Sequence, residues 1–228
     1  MFVICPLYYK YRINLQYEDE NAYYLFDSID LSPTCSHNCC PNQSKTVKME
    51  IGSYGLGKAI RQRFALFEKP YRCACLCFCA CCTRPIFNVY INGGKDKIGF
   101  IKEIRTACEP TMYIFSKNNT LKFKISGSFC QCGYCCRDLC CQMCNEAYFS
   151  IFHGRDIENE KPNGKIKKIK YSGNKVKPDY EQIILEYPTG IDISCQDKVL
   201  LLAASLFIEI LYFQNIRNSK RCNGNSFE

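Results

Sequence analysis

The chain has 228 residues, 47% of them hydrophobic and 23% charged, a balance that supports one large globular domain and excludes a disordered chain. Sixteen Tyr and fifteen Phe with no Trp suit strands better than a helix bundle. The net charge of +8 favours anionic partners, and no uninterrupted apolar stretch reaches the ~18 residues that a membrane-spanning helix needs.

In chain order, short apolar or alternating runs fall at 23–26, 47–51, 86–91, 112–115, 121–125, 148–152 and 183–187. Asn92-Gly93-Gly94 and Lys117-Asn118-Asn119 separate some of them as turns. Such spacing predicts an all-β sandwich or barrel. The exception is 198–213, KVLLLAASLFIEILYF, apolar on every face except at Glu209. As a helix it is about 24 Å long, short of a ~30 Å hydrocarbon core, and an all-round apolar helix must be buried somewhere. Enclosure by the strands of the same domain is the plainer reading. The alternative is a membrane-inserted tail followed by the basic residues Arg217, Lys220 and Arg221.

Twenty cysteines need an explanation. The N-terminal residues show neither a basic n-region nor an apolar run with a cleavage site, so a cytosolic, reducing setting is expected. In the run Cys73 to Cys82, Cys73, Cys75, Cys77, Cys79 and Cys81 recur every second residue, with Cys82 adjoining. On a strand that spacing makes a row of thiols on one face, not a tetrahedral metal site. Lys58, Arg61, Arg63, Lys69 and Arg72 lie upstream. Thiols beside basic charge suit multiple S-palmitoylation at a membrane surface, with metal binding and plain packing as alternatives.

A second group, CQCGYCCRDLCCQMC at 130–144, contains the pairs Cys132–Cys135 and Cys141–Cys144 at zinc spacing. Its density of thiols makes such pairs easy to produce, so structural cysteine is the plainer reading. Cys35, Cys39 and Cys40 beside His37 form a third, weaker group. The lysine-rich stretch around GKIKKIKYSG reads as a solvated loop, or as an anionic-headgroup contact through Lys165, Lys167, Lys168 and Lys170. Nuclear or nucleic-acid function finds no helix-turn-helix, zipper or RNA-recognition signature. GSYGLGK at 52–58 mimics a P-loop, but Ala59 stands where a Mg²⁺-binding hydroxyl belongs. His37 and His153 are the only histidines, and no cysteine is set apart as a nucleophile, so no hydrolytic or redox enzyme is expected.

Taken in order, CSHNCCP at 35–41, EKPYRC at 68–73 with the thiol row after it, KISG at 124–127 before a cysteine-rich hairpin, and the ending at 187–213 resemble the phospholipid scramblase family. The resemblance runs from about Tyr11 to Gln214. It does not include the Pro-rich arm that family members carry before the first strand. It implies a closed antiparallel β-barrel, similar to the tubby domain, enclosing the hydrophobic C-terminal helix. On that reading residues 1–10 are an N-terminal extension, 11–216 the barrel domain with its helix at 198–213, and 217–228 a basic polar tail. The implied activity is Ca²⁺-activated, ATP-independent, bidirectional phospholipid movement between leaflets. The implied setting is the cytosolic face of a membrane, foremost the plasma membrane, with palmitate as anchor and phospholipid as partner. The family's Ca²⁺ segment maps to 179–192, where Asp179, Glu181 and Asp192 are the candidate ligands. Ile183 and Ile184 stand where a calcium loop wants an oxygen donor and a glycine. By local chemistry, Ile183, Leu185 and Tyr187 are more simply one face of a strand. A lipid-anchored scaffold or regulatory module without transport is the rival reading.

Overall fold

The computed structural model describes residues 2–7, 10–16, 22–30, 46–54, 61–70, 84–105, 109–128, 130, 131, 133, 145–154, 162–171 and 180–213. The fold is mainly β, an antiparallel sheet with one C-terminal helix. The strands are β1 (Phe2–Leu7), β2 (Lys10–Gln16), β3 (Ala22–Asp30), β4 (Val47–Tyr54), β5 (Arg61–Lys69), β6 (Ile86–Ile91), β7 (Asp96–Arg105), β8 (Pro110–Ser116), β9 (Leu121–Gly127), β10 (Glu146–His153), β11 (Gly164–Tyr171) and β12 (Tyr180–Glu186). Nine of them, β4 to β12, carry described core side chains. Each strand pairs with its neighbour in sequence, and β1 also lies in register with β12, Phe2 opposite Leu185 and Ile4 opposite Ile183. Strand β1 therefore falls inside the stretch expected as an N-terminal extension.

Every strand run read from the sequence lies in or across one of these strands. The physical cause is the two-residue period: Phe87 and Val89, Met112 and Ile114, Phe123 and Ile125, and Phe149 and Ile151 all point into one core. The predicted turns hold as well. Asn92–Gly94 forms a tight 3₁₀ turn with Gly93 at φ 70° and Gly94 at φ 97°, which glycine adopts without steric cost. Asn119, at φ 60°, closes the β8–β9 turn, its N–H donating to the Ser116 carbonyl at 3.1 Å. Strands β1, β2, β5, β7 and β11 escape the sequence reading, the last four because charged residues occupy positions within their pattern.

Helix α1 (Cys195–Ile208) continues into a π-helical turn, Glu209–Phe213. It starts three residues before the predicted 198, because Ser194 caps it: the Asp197 N–H donates to Ser194 Oγ at 3.1 Å, and that hydroxyl donates to the Asp197 carboxylate at 2.7 Å. Every residue from Val199 to Leu211 is buried, and the helix packs against β6, β7, β8 and β12. The segment is thus a helix buried against the strands of the same chain, and no helix among the described residues is long and apolar enough to cross a membrane. The close approach needs Gly99 on β7, where a Cβ would stand 2.2 Å from the Phe115 carbonyl oxygen and 3.0 Å from Leu200 Cδ2.

Tyr187, just after β12, packs against the core and donates its hydroxyl to the Lys198 carbonyl at 3.2 Å. Burial raises its phenol pKa far above the ordinary value. Because the folded pKa exceeds the unfolded one, this contribution is fully present below pH ~10 and fades as pH rises through the folded value. Urea unfolding between pH 8 and pH 11 is therefore expected to show a steeper loss of stability above ~10 in the wild type than in Tyr187→Phe. Parallel curves would refute the assignment.

Candidate functional site

The chemistry gathers where α1 ends. On β11, alternation turns Ile166, Lys168 and Lys170 to one face and Lys165 and Lys167 to the other. Lys168 is 6% exposed, and its ammonium pairs with the Glu181 carboxylate of β12 at 2.8 Å. The same ammonium pairs closely with Glu209, which is wholly buried at the start of the π-helical turn. It also stands 4.1 Å above the centre of the Phe213 ring. One buried cation thus joins two strands to the end of the helix.

A second polar contact holds the same turn. The Tyr212 hydroxyl donates to Glu103 Oε1 on β7 at 2.7 Å, while the Arg84 guanidinium lies 4.0 Å from Glu103 Oε2. Phe149 packs against Tyr212 and Phe213, with ring centroids 6.5 and 6.3 Å away. The helix therefore leaves an apolar interior and ends among charged side chains supplied by β7, β11 and β12. Among the described residues, this is where buried carboxylates and ammonium groups concentrate. Such groups remain charged inside a protein only when paired and hydrogen-bonded.

The expected lysine row is divided by this geometry. Lys168 is a correction: it faces inward and is committed to Glu181 and Glu209, so it is no headgroup contact. Lys170 shares its inward-alternating face and is half-buried. Lys165 and Lys167 do face outward, but pair with Glu186 at 3.2 Å and Glu146 at 2.9 Å. The Tyr148 hydroxyl and then Lys167 hold the Glu146 carboxyl below its ordinary pKa, and Glu146 in turn raises that of Lys167. A period of two cannot put four successive lysines of a strand on one surface. Lys69 is also corrected, because it is fully buried on the face of Ala65 and Phe67 and offers no surface charge beside the thiol row.

The candidate calcium residues are not brought together. Asp179 lies outside the described residues, and Glu181 is already neutralised by Lys168. Asp192 follows β12 on the side where α1 begins, two residues before the Ser194 cap, whereas Glu181 lies five strand steps back from Glu186, beside the end of α1. Five steps are about 17 Å, whereas ligands of one Ca²⁺ each stand about 2.3–2.6 Å from it. Glu181 and Asp192 therefore do not fit a shared ion. The strand reading of this segment holds, with Ile183 and Leu185 buried side by side on one face. Residues 52–54 of the P-loop-like stretch likewise belong to β4.

Cys73, Cys75, Cys77, Cys79, Cys81 and Cys82 lie outside the described residues, as do Cys132, Cys135, Cys141 and Cys144. Their flanking strand ends are described. Lys69 and Ile86 bracket the first group, Gly127 and Glu146 the second, and Asp30 and Val47 the group at Cys35, Cys39 and Cys40. In an antiparallel meander every second connection returns to the same end of the sheet, so all three pairs of strand ends lie at the end where α1 finishes. Among the described residues no cluster of three His, Cys, Asp or Glu side chains could hold a metal ion. His153, at the end of β10, makes an edge contact with Phe123 at 5.5 Å.

Comparison with protein-family models, with curated proteins and with solved structures finds no match to this chain.

Proposed function

We propose that this chain is a phospholipid scramblase, a closed barrel held at the cytosolic face of a membrane by palmitoylated cysteines and moving phospholipid between leaflets without ATP. The observation that carries the reading is an all-round apolar helix buried against an antiparallel sheet. That is the architecture the ordered motifs imply for the family. The register of β1 with β12 supports closure of the sheet.

A scramblase needs no nucleophile. It needs a less costly polar route for a charged headgroup across hydrocarbon. The charged side chains around the end of α1 supply polarity at the end of the sheet that the thiol-bearing connections share. Palmitate on Cys73, Cys75, Cys77, Cys79, Cys81 and Cys82 would set that end against the bilayer, two or more chains being enough for stable anchoring. The proposal keeps Ca²⁺ as the activator that the resemblance implies, and assigns it no site between Glu181 and Asp192. Zinc at Cys132, Cys135, Cys141 and Cys144 is not needed for this reading.

The test is reconstitution in sealed liposomes carrying fluorescent lipid in both leaflets, with dithionite added outside, with and without Ca²⁺. Bleaching beyond the outer-leaflet pool, and only with Ca²⁺, is the expected result. Bleaching confined to the outer leaflet under both conditions, with protein verified in the vesicles, rejects transport. The second reading, an anchored scaffold or regulatory module, would then stand. It is favoured by the full burial of α1, which leaves that helix no apolar face to give to a bilayer.

A further inference from the structure

The opposite end of the sheet, where α1 begins, carries a different kind of site. A cavity of about 750 Å³ opens between the β6–β7 turn, the β8–β9 turn and the first turn of the helix. That volume falls in the range of small-molecule sites. Lys95, Lys97, Lys117 and Lys122 line it, against two carboxylates, Asp96 and Asp197.

Both carboxylates are already engaged. Asp96 accepts from the Asn92 amide, and Asp197 accepts from Ser194 Oγ and lies 3.6 Å from Lys122. Lys95 and Lys117 are exposed and have no carboxylate partner among the described residues, and Lys97 rests only over the Phe100 ring at 5.3 Å. The cavity thus holds three ammonium groups with no ion-pair partner among the described residues, brought together from the β6–β7 and β8–β9 connections and the start of β7. Gln196 adds a neutral amide at the rim, and the helix start adds its positive dipole end. Four cations against two anions leave two positive charges uncompensated, which matches a dianion. A phosphomonoester or a pyrophosphate carries that charge with several acceptor oxygens, and charge-assisted hydrogen bonds from lysine are the means by which proteins hold such groups.

We propose that this cavity binds a phosphate-bearing dianion, held by Lys95, Lys97 and Lys117 at the mouth of the barrel-like sheet. Two sources share that chemistry, a soluble phosphate compound and the headgroup of a phosphomonoester lipid. The site lies at the far end of α1 from the thiol-flanking strand ends, about 21 Å away along the helix. It is therefore separate from the clamp around Lys168 and does not depend on lipid transport.

The test is titration of the full chain with inorganic pyrophosphate, with glycerol 3-phosphate, and with vesicles of phosphatidylcholine alone or containing phosphatidic acid. The variant Lys95→Glu/Lys117→Glu is compared with Lys102→Glu, which reverses a partly exposed lysine of β7 outside the cavity. Saturable pyrophosphate binding is expected, weakened at least about tenfold by the double variant and little by the control, as the loss of charge-assisted bonds predicts. Urea midpoints should match, since the Lys95 and Lys117 side chains make no ion pair or hydrogen bond among the described residues, and the Lys117 N–H to the Ile98 carbonyl is a backbone bond that the substitution keeps. Competition between pyrophosphate and phosphatidic acid vesicles assigns the lipid source. Binding of the soluble compounds without vesicle binding assigns the soluble one. Absence of saturable binding to every probe, or equal binding by the double variant and the wild type, overturns the proposal.

Discussion

Replacing Lys168 by alanine is expected to destabilise the fold by about 3–5 kcal/mol, the cost of removing one partner from a buried ion pair. The magnitude follows from what is left behind. Glu209 is wholly buried and would lose the ammonium paired with it, while Glu181 would lose its 2.8 Å partner. Urea unfolding monitored by circular dichroism measures the loss. The exposed pair Lys165–Glu186 provides the contrast, since Lys165→Ala is expected to cost no more than about 1 kcal/mol. In Lys168→Met/Glu209→Leu the buried charge is removed together with its partner. That variant should recover much of the loss, because Glu181 is partly exposed and can take up water. A Lys168→Ala effect as small as that of Lys165→Ala would show that the ammonium is not buried between the two carboxylates.

Phe207→Ala is the second large effect, expected at about 3–5 kcal/mol for a buried aromatic cut to a methyl group. Phe207 is fully buried and stacks on Phe87 of β6, with centroids 4.8 Å apart and rings nearly parallel at 5°. Phe87 in turn meets Phe67 of β5 at 5.8 Å, so the cavity would open in the middle of an aromatic file from sheet to helix. At about 2–4 °C per kcal/mol for a chain of this size, the melting temperature should fall by roughly 6–20 °C. A fall of a degree or two would mean that the helix is not packed against the sheet, and the architecture behind the proposed function would fail with it.

Much of the fold was legible because apolar alternation is a local property. Phe87, Val89, Met112, Ile114, Phe123 and Ile125 announce their strands without reference to any neighbour. The burial of 198–213 was legible for a similar reason, since a helix apolar on all sides has no face to give to water. Strand β11 was not legible in this way. GKIKKIKY contains only two apolar aliphatic residues among its lysines, and its inward lysine is tolerable only because Glu181 and Glu209 meet it. The lone acid in an apolar helix and a lysine in phase with Ile166 were both visible, but 41 residues separate them. The cavity near Lys95 and Lys117 was harder still, because its lysines sit on turns that sequence alone does not place side by side.

The sequence by itself determined the predominance of strands, the helix that must be buried and the turns at Asn92–Gly94 and 117–119. These follow from residue period, apolar burial and backbone preference, all readable within a few neighbours. Only the tertiary structure decided which charges face inward, that Lys168 joins Glu181 to Glu209, and that Glu181 stands at the end of β12 remote from the segment carrying Asp192. Pairing of charges is a through-space quantity. Its energy depends on distance and burial, and neither exists until the strands have chosen their partners.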